Sequence, residues 1–422
     1  MRRYGGAAIR MQQGFNKTLT EKEAVLDRLS YLVGSKDTLC GICGATPKRP
    51  FDGTVTDFLN DVSKALMADQ EARAFSDVIT FAFWIRKSAT AKLKEQFDKN
   101  DTNIHLGRGV AFHIAPSNVP VNYAYSLAVG LLTGNANVVR IPSKDFPQVR
   151  IINKAIHGTL SLEAHAGIKD YICLVRYDRN REVNDLLSGI SDTRIIWGGN
   201  ATIKELRRSP LKPRASEITF ADRFSIAVID SDCYLERKDK LKIAEDFYND
   251  TYLTDQNACT SPRMVVWMGT QTARAKETFW KNLHVLVQKK YAFQAIQGVN
   301  KLTSGYLLAA AYEGVKIEPS PDNLIVRVRV PEIFETPMEF KDNSGYFFEY
   351  DCNDVLALKN LCDDMRCQTV AYIGGREMLT PLLESGVKGI DRIVPVGQTM
   401  DFGFIWDGYD LYERLTRTVS IL

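Results

Sequence analysis

Between residues 107 and 230 the sequence keeps switching its period. VAFHIA, NANVVRIP, YICLVRY, TRIIWGG and FSIAVID are short, continuous apolar runs, whereas PVNYAYSLAVGLLTG, FPQVRIINKAIHGTLSLEAHAG, REVNDLLSGI and NATIKELRRS repeat their apolar residues every three or four positions. A run that is apolar throughout needs cover on both faces, and helices with one apolar stripe supply it. The alternation predicts a parallel, doubly wound α/β sheet that takes ligands at the carboxyl ends of its strands. Upstream, residues 1–106 read as a helical region, with Gly34 and Pro47 as punctuation. Downstream, a charged helix at 235–253 leads into a polar loop, and PRMVVWMG restarts the alternation as a second α/β domain. The expected division is 1–106, 107–232, 233–395 and a C-terminal return over 396–422.

Charge narrows the ligand. Lys plus Arg number 54 and Asp plus Glu 51, mixed along the chain, so the sequence offers no basic footprint for nucleic acid or a membrane surface. The start, MRRYGGAAIRMQQGFNK, is positive but runs into no apolar stretch, and AYSLAVGLL (124–132) is too short to span a bilayer. The expectation is a cytoplasmic protein acting on a small ligand, with its eight cysteines kept as thiols.

One of those cysteines stands apart. Cys259 lies in TDQNACTSPRM (254–264), between a helix and a strand, with Gln256, Asn257, Thr260 and Ser261 around it. Cysteine most often serves as a small buried apolar residue, and polar flanks argue against that here. A connection between rigid elements is where nucleophiles are found, and a thiol there needs nearby groups, such as backbone N–H, that favour the thiolate. Cys40 and Cys43 form one CxxC, and Cys362 and Cys367 are the other close pair. A zinc site would need four converging ligands, so no metal is expected; Cys173 reads as core.

The stretch 113–147 is the densest in polar side chains at element ends. Asn118 falls between a strand and a helix, and Arg140, Ser143 and Lys144 close the strand of VVRIPSK, two cations and a hydroxyl that suit a phosphate. Composition alone favours a solvated strand end. In IIWGGN, Gly198 and Gly199 allow close backbone approach before a helix start, without the G-x-G-x-x-G spacing of the usual dinucleotide fingerprint.

In order, APSNVP, GNANVVRIPSK, IIWGGN and DQNACTSPR, followed by DGYDLYERLTR, resemble the LuxC-type acyl-CoA reductases, a branch of the aldehyde dehydrogenase superfamily. The resemblance, from about residue 107 onward, implies an aldehyde-dehydrogenase-like fold: a Rossmann-type NADP-binding domain over 107–232, a thiol-bearing catalytic domain over 233–395, and an oligomerisation strand in RTVSIL (417–422). It implies that Cys259 accepts the acyl group and that Asn118 donates its amide to the oxyanion. It places Arg140, Ser143 and Lys144 at the adenosine ribose, Gly199 and Asn200 near the pyrophosphate, and Glu332 of PEIFETP at the nicotinamide ribose. NAD-preferring members carry a glutamate where this chain has Ser143, so the implied cofactor is NADPH. Hydrolytic relatives read ELGGK where this chain has TFADR (219–223), which puts Thr219 or a neighbour in place of the water-activating glutamate.

The implied activity is NADPH-dependent reduction of a long-chain fatty acyl-CoA or acyl-protein to an aldehyde through acyl-Cys259. Aldehyde oxidation with NAD(P) and a non-catalytic scaffold for an acyl-activating partner are the alternatives. The implied partners are an acyl-protein synthetase and further copies of the chain.

Overall fold

The computed structural model describes residues 23–97, 103–334 and 337–421, so the reading of the first seventeen residues lies outside it. The chain divides into two units: the segment up to Ala221 together with Tyr409–Leu422, and Asp222–Gly408. No helix among the described residues is long and apolar enough to cross a membrane.

The first unit carries β1 (Ser30–Val33), β2 (Ile104–Gly107), β3 (Val110–Ile114), β4 (Ala136–Arg140), β5 (Ile172–Arg176), β6 (Thr193–Trp197) and β7 (Ser216–Phe220). All but β2 form one sheet in the order β1-β5-β4-β3-β6-β7, parallel except for β1. The helices Asn122–Leu132, Pro147–Leu160 and Arg181–Ile190 are the expected crossovers. The region expected to be purely helical contributes β1, because pairing with β5 satisfies its backbone at the sheet edge and overrides the local helical pattern. Gly34 ends that strand at φ 81, where a Cβ would fall 2.9 Å from the Ile172 carbonyl oxygen.

A buried polar chain fixes β3 against its neighbours. Trp197 Nε1 donates to Ser126 Oγ (3.1 Å), Ser126 to His113 Nδ1 (2.7 Å), and His113 Nε2 to Asn137 Oδ1 (2.9 Å). Asn137 donates onward to the Asn135 carbonyl at 2.7 Å, which sets the direction of the whole chain. Burial lowers the His113 pKa to about 4, so the ring is neutral. The Asn135 side chain accepts from the Arg108 and Gly109 amides and donates to the Leu415 carbonyl, tying in the C-terminal segment. There Thr416–Val419 pairs antiparallel with β2. The strand expected to join copies of the chain is thus paired on one side within its own chain.

The second unit holds β8 (Phe224–Asp230), β9 (Pro262–Met268), β10 (Lys316–Ile317), β11 (Val326–Arg329), β12 (Tyr346–Asp351), β13 (Cys367–Ile373) and β14 (Arg392–Pro395), in the order β10-β11-β12-β9-β8-β13-β14. Only β10 runs antiparallel. Alternate residues face opposite layers: Phe224, Ile226 and Val228 enter one core, Ala227 and Ile229 the other.

FSIAVID, expected to close the first sheet, is β8 and opens the second. The reason is connection length. Three residues separate β7 from β8, and a parallel neighbour in the same sheet needs a crossover of a dozen residues or more. The boundary therefore falls at Ala221–Asp222 rather than near residue 233, and the chain stays in the second unit through Gly408 rather than leaving it at 395.

Candidate active site

Cys259 sits just before the amino end of β9, half-buried, on a loop that the sequence locks in place. The helix Lys240–Thr251 runs into a 3-10 turn, and the chain then turns through Asp255 and Gln256 at φ 50 and 59. Left-handed backbone is strained for glutamine, and the buried Gln256 side chain offsets the strain. Its amide nitrogen donates to the carbonyls of Pro262 (2.9 Å) and Tyr346 (3.0 Å), while its oxygen accepts from the amides of Gly345 (3.0 Å) and Tyr346 (3.1 Å). The loop is thereby pinned to β9 and β12 at once. Ser225 Oγ, on the neighbouring strand β8, donates to the Cys259 carbonyl at 2.8 Å.

Burial raises the pKa of the Cys259 thiol, and Asp407 raises it further; the Arg223 backbone N–H, Lys341 and Arg263 pull it down. The N–H is held in position because the Arg223 guanidinium is fixed to Asp391 (2.7 Å) and to the Met365 carbonyl (2.8 Å). Arg263 is buried, which lowers its pKa to about 10, and it donates to the Asp342 carbonyl and to Asn343 Oδ1. Asn343 in turn donates to Asn257 Oδ1 at 2.8 Å, closing the shell around the loop. Lys341 is solvent-exposed as a residue, yet burial around its ammonium and the Arg263 charge lower its pKa while Cys259 raises it. A sulfur anion formed here is favoured by one N–H and two cations and opposed by burial and Asp407.

Lys341 and Arg263 were missed in the sequence. Arg263 stands inside the cysteine motif and could have been found there; Lys341 is some eighty residues away and only the β12–β9 pairing brings its segment close. Glu332 is not brought to the thiol. It is an exposed residue beyond the carboxyl end of β11 and acts on Tyr350 near the carboxyl end of β12. Because β11, β12 and β9 are parallel, that is the sheet edge opposite the one bearing Cys259.

In the first unit, Asn118, Arg140, Gly199 and Asn200 gather at one edge. Asn118 is exposed on the loop after β3, Arg140 ends β4, and Gly199 caps the helix Asn200–Leu206 after β6. The strand order turns back between β3 and β6, so the crevice of a doubly wound sheet opens there. Arg140 lies 4.6 Å over the Tyr177 ring and reaches its carbonyl at 3.4 Å. Ser143 and Lys144 are exposed just beyond, with Lys144 4.8 Å from the Phe146 ring. Asp145, next in sequence, is 3.9 Å from Arg176. A switch-point crevice with a glycine-capped helix start and cationic groups at the end of β4 fits a nicotinamide dinucleotide. Thr219 lies on β7, paired with Ile196, and is half-buried.

Comparison with known proteins agrees with this architecture. The family described as acyl-CoA reductase (LuxC) matches residues 88–290. The long-chain acyl-protein thioester reductase of Vibrio harveyi is 23% identical over 325 residues, covering 74% of this chain and 64% of that protein's length. Among solved structures, a NAD-dependent benzaldehyde dehydrogenase from Corynebacterium glutamicum is similar with a TM-score of 0.62 at 12% identity, over 93% of this chain and 94% of its own. A glyceraldehyde-3-phosphate dehydrogenase from Methanocaldococcus jannaschii, complexed with NADP, gives 0.63 at 13% identity over 87% and 89%. Over residues 88–290 the chain is thus similar to the acyl-CoA reductase (LuxC) family, and its fold is aldehyde-dehydrogenase-like.

Proposed function

We propose that this chain reduces an acyl thioester to an aldehyde with NADPH, carrying the acyl group on Cys259. The observation that carries the reading is the surroundings of that sulfur: a thiol raised by burial, on a loop pinned by Gln256, with the Arg223 N–H, Lys341 and Arg263 set against a developing negative charge. Cys259 attacks the acyl carbon, the carbonyl pair moves to oxygen, and the donor thiol departs. Sulfur is both the entering and, later, the leaving atom, so the groups that stabilise its anion serve both steps. A bound reduced nicotinamide would supply the hydride to the acyl carbon. Arg140, Ser143 and Lys144 would hold its 2′-phosphate, Gly199 and Asn200 its pyrophosphate, and Asn118 is assigned the oxyanion amide by resemblance.

Support for a long-chain acyl substrate comes from the similarity to the Vibrio harveyi long-chain acyl-protein thioester reductase. An acyl-protein synthetase partner and a homo-oligomer belong to the same reading; Thr416–Val419 has a strand on only one side among the described residues. The test is intact-mass spectrometry after incubation with a panel of acyl-CoAs in the absence of any nicotinamide. Wild type is expected to gain one acyl mass and Cys259→Ala none; an undiminished adduct on the variant overturns the reading.

A further inference from the structure

Arg108, Arg214 and Arg414 take no part in the reading above, and none of them forms an ion pair among the described residues. Basic residues beside them do: Lys212 meets Asp192 at 2.8 Å, Arg207 meets Glu217 at 2.8 Å and Arg208 meets Glu205 at 2.9 Å. Arg108 is half-buried, while Arg214 and Arg414 are exposed. Separate pieces of chain carry them: the turn between β2 and β3, the loop ahead of β7, and the helix Leu411–Leu415.

Strand pairing gathers these pieces at the amino edge of the first sheet. Ala111 of β3, Thr193 of β6 and Ser216 of β7 lie in one row. Arg108 and Arg214 come just ahead of that row on strands two spacings apart, so they emerge from the same edge about 10 Å from each other. Asp192 stitches the two segments together: its carboxylate accepts from the Val110 N–H (2.9 Å) and from Lys212 (2.8 Å), and it leaves no room for a Cβ on Gly109. With both oxygens engaged, it is already neutralised by Lys212. On the other side, pairing of Thr416 with Gly107 sets the helix Leu411–Leu415 beside the turn, and Arg108 Nε donates to the Arg414 carbonyl at 2.8 Å. That bond uses one donor of the Arg108 fork and leaves its Nη groups without a partner among the described residues. Glu413 precedes Arg414 on the helix, and adjacent helical residues do not face each other. Burial lowers the Arg108 pKa, and the Arg414 and Arg214 charges lower it further, as expected of like charges held together without a counter-charge.

Holding like charges together costs stability unless an anion offsets it. Guanidiniums this close present planar forks of donors, which suit the several oxygens and double charge of a phosphate better than a single carboxylate. We propose that Arg108, Arg214 and Arg414 form a phosphate-binding site at the edge of the first sheet opposite the cofactor crevice. The length of β3 sets the two edges about 15 Å apart, which separates this site from the groups assigned to the cofactor phosphates. It stands whether or not Cys259 accepts an acyl group. Arg414 lies on the C-terminal segment and the other two arginines at the sheet edge, so a bound phosphate ties the helix Leu411–Leu415 and Thr416–Val419 onto β2 and the sheet. The ligand thereby strengthens the return of the chain into the first unit.

The test is isothermal titration calorimetry with inorganic phosphate, inorganic pyrophosphate and adenosine 5′-monophosphate, at constant ionic strength set with chloride and without nicotinamide. Wild type is expected to bind the phosphate-bearing probes, and Arg214→Gln and Arg414→Gln each to bind about tenfold or more weakly. Arg140→Gln, at the crevice, should bind as wild type does. Tighter binding of the nucleotide than of the free ions names a nucleotide as the source, and equal binding names the free ion; both support the site. In chloride alone the Arg214 and Arg414 variants should melt no lower than wild type, since each relieves repulsion, while the rise in melting temperature that phosphate brings to wild type should be lost. Hydrogen exchange should show phosphate protecting the amides of β2 and Thr416–Val419. Arg214→Glu reverses a charge on an exposed loop, where folding is not at stake, and should abolish binding. No binding by wild type, full binding by Arg214→Glu, binding lost in Arg140→Gln alone, or protection confined to the crevice loops overturns the proposal.

Discussion

Gln256 shows how one residue sets a site at a distance in sequence. Its amide meets two carbonyls and two N–H groups of β9 and β12, and orphaned buried backbone groups cost about 1–3 kcal/mol each. Gln256→Leu is expected to lower unfolding free energy by about 3 kcal/mol or more in urea titration, and to slow acylation of Cys259 because the loop is no longer pinned. Wild-type stability in that variant would mean the four contacts are dispensable. Ser143 makes the sharpest prediction for the cofactor. Charge-assisted contacts contribute about 1.5–3 kcal/mol each, so NADPH should exceed NADH in kcat/KM by at least about tenfold. Ser143→Glu sets a carboxylate against the phosphate and should erase or reverse the ratio. An unchanged ratio would mean the exposed end of β4 does not read the ribose. Polar flanks single out Cys259 in the sequence, whereas nothing local marks Lys341, a lysine whose neighbour is supplied by strand pairing. The position of Glu332 was not legible from its motif, because a short motif does not say at which edge of a parallel sheet it emerges.

At the level of elements, the two sheets are expected to answer acid in opposite directions. His113 on β3 is held neutral with a pKa of about 4, below its unfolded value, so β3 loses stability as pH falls from about 6.5 to 4. The full loss is about 3 kcal/mol at 1.36 kcal/mol per pKa unit. Asp250, on the helix Lys240–Thr251, accepts from the amides of Gly397 (2.6 Å) and Thr399 (3.1 Å), yet burial raises it to about 7. A carboxyl raised above its unfolded value favours the folded state most at low pH, and that contribution fades as pH climbs from about 4 to 7. Hydrogen exchange corrected for intrinsic rates should show β3 amides losing protection on acidification while those of the Asp250 helix gain. Asp250→Asn should flatten the second trend. Continuous apolar runs made most inner strands readable, but β7, written SEITF, alternates polar and apolar residues and went unseen. Missing it placed β8 in the wrong sheet.

For the whole molecule, the doubly wound architecture followed from the alternation, and the unit boundary did not, because boundaries depend on which sheet a strand joins. The C-terminal residues make the point most clearly: Tyr409–Leu422 belong with the first unit, where Thr416–Val419 pairs with β2 and Leu415 receives the Asn135 amide. The second unit is thus an insertion in the first, and synthesis reads it out before the first unit's last strand exists. At about 5–20 residues per second, Asp222–Gly408 occupies the ribosome for roughly 10–40 s, during which β2 waits without its partner. A nascent chain stalled after Gly408 should be cleaved by protease near β2 while β8–β14 are already resistant, and release of the remaining residues should close that window in a single late step.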